Sequence, residues 1–146
     1  MEITIRKSVR PELAKKIPNL CQESINWMQK KYPTVNFDNV GFIFSASYKR
    51  SRYFRNEAGN AKYLLPNVCV TTRATLYLYD KRSLGLKKTS VYTGSEPQIM
   101  CSLIHELTHH AQYEQKIRMG NELDTTANEL AYLKEYHPKY YSKLVK

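Results

Sequence analysis

The residues equipped for chemistry are concentrated in His105-Glu106-Leu107-Thr108-His109, an H-E-x-x-H pattern. Side chains four apart on a helix share a face, so the two imidazoles can converge on one metal while the glutamate beside the first stays free to handle a proton. That combination suits metal-activated water, with His105 and His109 as ligands and Glu106 as the catalytic proton acceptor. Ordinary solvated helix faces also carry His and Glu, so the flanking sequence has to decide. Gly94-Ser95-Glu96-Pro97-Gln98 reads as a helix start, with Ser95 as N-cap, Pro97 in the first turn and Gln98 completing a capping box. Ile99, Met100, Leu103, Ile104, Leu107 and Ala111 then follow helical spacing, which turns one face to a core and leaves both histidines at its margin.

A catalytic zinc commonly takes three protein ligands and keeps one position for water. If the chain reverses near Met119-Gly120 and a second helix returns antiparallel, equal rise per residue brings residues 129–132 level with the histidines. Glu129 is the acidic residue there and is the expected third metal ligand. Glu122, one heptad earlier on roughly the same face, Asp124 between them, and His137 could each take its place.

The pair of histidines followed downstream by Asn128-Glu129 resembles the zinc signature of the gluzincin metallopeptidases, in which the glutamate of an Asn-Glu pair on the next helix is the third ligand. The likeness covers residues 95 to about 135. It implies a zincin-like minimal α+β domain: a small mixed sheet with an edge strand beside the substrate, packed on an N-terminal helix and an active-site helix, then a glutamate helix. It also implies Zn2+ as cofactor and peptide-bond hydrolysis as the activity. In size the chain is closer to the small SprT-like and phage-encoded zincins. Those often use a histidine where this chain offers Asp124, and the metzincin extension is absent, with Gln112 and Gln115 where Gly and His would stand. Tyr113, Tyr132, Tyr136 and His137 are the candidates for stabilising an oxyanion.

A chain of 146 residues is the size of one domain, expected to span 1–146. No apolar run approaches bilayer length and the first residues lack the apolar core of a signal peptide, so a cytoplasmic protein with no membrane contact is expected. Cys21, Cys69 and Cys101 are odd in number and lie in apolar contexts, as reduced core thiols do. The net charge of +10 is uneven: residues 1–94 hold 17 Lys/Arg against 6 Asp/Glu (+11), and residues 95–146 hold 6 against 7 (−1). A basic front half is attracted to polyanions, nucleic acid above all, although charge asymmetry of this kind also occurs on plain solvated surfaces. The cations expected to make such contacts are Lys49, Arg50, Arg52, Arg55, Lys81, Arg82, Lys87 and Lys88, the first four interleaved with Tyr48, Tyr53 and Phe54.

The elements that must position the site read as follows. Residues 2–9 begin as an alternating strand, and Glu12 to about Tyr32 fits a helix with Pro18 as a kink or a break. Trp27 is expected in the core. Val40-Gly41-Phe42-Ile43-Phe44, Leu64 to Thr71, Thr75 to Tyr79 and Thr89 to Thr93 are strand candidates, with Pro66 delaying the second or placing it at an edge. After the metal helix, Gly120 and Asn121 suit a C-cap and an N-cap. A second helix is expected to run to about Tyr136, where His137-Pro138 stops it and leaves Lys139 to Lys146 as a fraying basic tail. Two classes of function remain open: a zinc endopeptidase, or a zincin-fold binding or assembly protein of a phage or other nucleoprotein particle that cuts nothing.

Overall fold

A computed structural model of the chain describes residues 2–46, 61–65, 73–79, 84, 95–115 and 122–144. Among them the fold is mixed α and β, with four strands in one sheet and five helices. Strand β1 (Glu2–Ile5) lies parallel to β2 (Gly41–Phe44). Parallel neighbours need a crossover of a dozen or more residues, and α1 (Pro11–Ala14) and α2 (Ile17–Lys31) supply it. Pro18 falls within the first turn of α2, where its missing N–H costs nothing, so it opens a second helix rather than bending a long one.

The sheet order is β1-β2-β4-β3. β4 (Thr75–Leu78) runs parallel to β2, and β3 (Ala61–Leu64) closes the sheet antiparallel to β4. Because side chains alternate along a strand, Phe42, Phe44, Leu76 and Leu78 share one face with Tyr63 and join the main core, while Ile43, Leu64, Tyr77 and Tyr79 form a separate cluster. β3 occupies residues the sequence did not mark as a strand and ends at Leu64, where the expected strand begins; residues 66–71 of that expectation lie outside the described residues.

Helix α3 (Ser95–Glu114) is the long rod of the fold. Ile99, Met100, Leu103, Ile104, Leu107 and Ala111 are each no more than 1% exposed, so the stripe seen in the sequence does face the core. Trp27 is only half-buried: its ring meets Tyr132 edge-on and its indole N–H donates to Glu135 at 3.0 Å, the polar outlet a tryptophan wants. Cys21 and Cys101 are buried free thiols, and burial pushes Cys101 up to about 12, above the reactive range; Cys69 lies outside the described residues.

Helix α4 (Glu122–Tyr136) packs along α3. The expected tail is instead a further helix, α5 (Pro138–Leu144). Pro138 preorganises its first turn, and the Tyr140 hydroxyl donates to Gln98 on α3 at 3.0 Å, which ties the segment down. Among the described residues no helix is long and apolar enough to cross a membrane. The aromatic and basic run at 48–55, the cations Lys81, Arg82, Lys87 and Lys88, the strand expected at 89–93 and the turn at 116–121 lie outside the described residues.

Candidate metal centre

One turn of α3 places His105 and His109 with ring centroids 5.0 Å apart. Their Nε2 atoms meet a single carboxylate: Glu122 Oε2 is 3.2 Å from His105 Nε2, and Glu122 Oε1 is 3.4 Å from His109 Nε2. The ligand atoms of His105, His109 and Glu122 all lie within 4.8 Å of one another, so this group could hold a metal ion.

The inner nitrogens point at the shared carboxylate, and the outer ones are held by other partners. Glu129 Oε2 lies 3.1 Å from His105 Nδ1, and Gln112 Oε1 lies 3.0 Å from His109 Nδ1. Both partners are acceptors, so each Nδ1 donates to its partner, and each Nε2, which faces an oxygen of Glu122, is the nitrogen left to bind an ion once it carries no proton. Burial lowers the pKa of His105, but the hydrogen bond to Glu129 and the charges of Glu106, Glu129 and Glu122 outweigh it and raise the ring above its ordinary value.

Glu129 therefore stands at the level expected of it and faces a different atom. Counting along two antiparallel helices fixes height along the axis, not which side of a ring a carboxylate reaches. Glu122 and Glu129 are a heptad apart and share a helix face, so periodicity cannot separate them. The carboxylate that joins both imidazoles is Glu122, while Glu129 backs His105 from behind. Asp124 is turned to Gln112, accepting from its amide at 3.3 Å, and His137 packs its ring 6.0 Å from that of Tyr132; neither belongs to the group that converges on the two imidazoles.

Glu106 is 6% exposed, with Oε1 3.9 Å from His105 Nε2. Burial raises its pKa above the usual carboxylate range, His105 and His109 pull the other way, and Glu122 and Glu129 add to the rise. It lines a cleft of about 330 Å³ together with His105, His109, Glu122 and three residues of β3, namely Ala61, Lys62 and Tyr63. None of the four expected oxyanion candidates lines this cleft: Tyr132, Tyr136 and His137 pack against one another, and Tyr113 lies beside Tyr63.

β3 is fastened to α3 through a residue the sequence did not single out for this purpose. The Tyr63 hydroxyl lies 2.7 Å from His110 Nδ1, and His110 Nε2 is 2.8 Å from the carbonyl of Asn36. A carbonyl only accepts, so His110 donates from Nε2 and accepts from Tyr63, a neutral arrangement that agrees with burial lowering its pKa. α4 is fastened by Asn128, whose amide donates to Thr108 Oγ1 at 2.9 Å and to the Tyr32 hydroxyl at 3.0 Å. We predict that Asn128→Ala costs about 1–3 kcal/mol, the range for leaving buried partners unsatisfied. Chemical denaturation reads this directly, and an unshifted midpoint would mean that packing alone holds α4.

The chain was compared with known families, curated proteins and solved structures, and none matches.

Proposed function

We propose that the chain is a zinc-dependent endopeptidase of the zincin type, with His105, His109 and a carboxylate of α4 as ligands and Glu106 as general base. The observation that carries this reading is the convergence of both Nε2 atoms on one carboxylate with both Nδ1 atoms already bonded, beside a buried glutamate whose carboxylate lies 3.9 Å from His105 Nε2. A donor set of two neutral imidazoles and a carboxylate with a fourth side open to a cleft suits catalytic zinc. When bound, the ion supplies a water of lowered pKa and polarises a carbonyl.

The chain's own residues do the rest. Glu106 takes a proton from the attacking water and delivers it to the leaving amine. Among the described residues β3 lies at the end of the sheet order on the cleft, so an extended peptide can be held along it by main-chain bonds, with Lys62 and Tyr63 beside it. The test is stoichiometric zinc in the purified protein and cleavage of an unfolded protein substrate that stops on chelation and returns with zinc. Zinc bound with no cleavage under any condition favours the binding or assembly role instead.

The +11 balance of residues 1–94 supports a place for this chemistry near nucleic acid. The expected result is DNA binding whose affinity falls steeply between low and moderate salt; no binding at low salt removes this part of the reading.

A further inference from the structure

The two histidines are backed by different chemistry, and the difference links the second ligand to the third. Behind His105 stands the carboxylate of Glu129; behind His109 stands the amide of Gln112, which is 2% exposed. The Gln112 amide faces two ways, because its Oε1 accepts from His109 Nδ1 at 3.0 Å and its Nε2 donates to Asp124 Oδ2 at 3.3 Å. Asp124 lies in the first turn of α4, two residues after Glu122. On the same turn, the buried Thr125 hydroxyl is 2.8 Å from Glu122 Oε2 and 2.8 Å from the Glu122 carbonyl.

We propose that Gln112 and Asp124 form a positioning relay that sets the ring of His109 and the carboxylate of Glu122 together, so that docking of the first turn of α4 completes the metal site. The proposal rests on the metal reading above. Of the side chains with this length and shape, the amide is the one that accepts from an imidazole N–H and donates to a carboxylate without first taking up a proton. A glutamate at 112 would satisfy His109 but set two carboxylates against each other across the helix pair, pushing away the turn that carries Glu122. The residues at 112 and 124 should therefore be exchangeable as a pair and not singly: with Gln112→Glu and Asp124→Asn combined, the new amide donates to the new carboxylate, which still accepts from His109.

The experiment measures zinc affinity of the full chain by competition with a chromophoric chelator, together with the visible spectrum of the cobalt-loaded protein and melting of the metal-free protein. Wild type is expected to bind zinc. Gln112→Leu and Gln112→Glu should each weaken binding by about ten- to a hundredfold, as loss of an orienting partner does, with altered cobalt bands. The Gln112→Glu/Asp124→Asn pair should return to within a few fold of wild type. Gln112→Glu binding as tightly as wild type, or a pair no better than Gln112→Glu alone, overturns the relay and leaves the metal site standing. A wild type that binds neither zinc nor cobalt removes the metal reading and the relay with it. If Gln112→Leu melts early, Gln112→Glu and the pair decide the matter, with zinc affinity compared at a temperature where melting of the metal-free proteins shows both to be fully folded: a weaker Gln112→Glu restored by the pair under that condition supports the relay, and equal affinities there overturn it.

Discussion

Replacing Glu106 with glutamine is expected to lower peptide hydrolysis by about 10²–10⁴-fold while leaving zinc affinity within a few fold of wild type. The two halves of that expectation come from different observations. Glutamine keeps the shape and one acceptor oxygen but cannot take up a proton, so only the proton transfer is removed. Affinity should hold because Glu106 is not part of the group that converges on the Nε2 atoms, and its nearer oxygen is 3.9 Å from His105. The carboxyl is suited to the task because burial raises its pKa toward neutrality, which is where a base at physiological pH transfers protons best. Steady-state cleavage rates with a matched zinc titration check both halves. A variant that loses zinc as well would make Glu106 a ligand; one that still cleaves at the wild-type rate would take the proton away from Glu106 altogether.

How much of the molecule is legible in its sequence differs by element. The apolar stripe of α3 fixed the helix, its buried face and the marginal position of the histidines, because periodicity of 3.6 is a property of sequence alone. The strands β2 and β4 were legible from short runs of aromatic and branched residues, since both faces of those strands are covered. α5 was not, because it is tied down by contacts distant in sequence, such as the bond from Tyr140 to Gln98, that no local pattern announces. At the site, the identity of the acceptor behind each ring was hidden for a related reason. Gln112 is three residues after His109 and so on its face, a spacing that could have drawn attention to it, but Asp124 reaches it only through the packing of two helices. His110 showed the reverse problem: beside a metal-binding motif it looks like spare chemistry, and the structure spends it on holding β3 through Tyr63.

The sharpest consequence of the geometry is an order of losses among the acidic residues of α4. Glu122→Ala should weaken zinc binding by more than about a hundredfold, because it removes the oxygen donor placed between the two Nε2 atoms; a loss of that size exceeds what orienting groups outside the coordination sphere usually cause. Glu129→Ala should cost about ten- to a hundredfold, since His105 keeps its metal-facing nitrogen and loses only the partner that fixes its tautomer and orientation. Glu129→Gln should cost less than Glu129→Ala, because an amide oxygen still accepts from Nδ1–H. This ordering separates the two carboxylates that the heptad spacing could not. If Glu129→Ala proves the more damaging and Glu129→Gln is no milder, the ligand is Glu129, as the resemblance to the gluzincins implied, and the first turn of α4 swings aside when metal arrives. In that event Glu122, 60% exposed at its side chain, would be free to move off without disturbing the core, whereas Glu129 would have to leave the back of His105 and cross to its other nitrogen. Turning one of these rings about while α3 stays buried on nearly every side is the larger rearrangement, and that is why the expected order places Glu122 first.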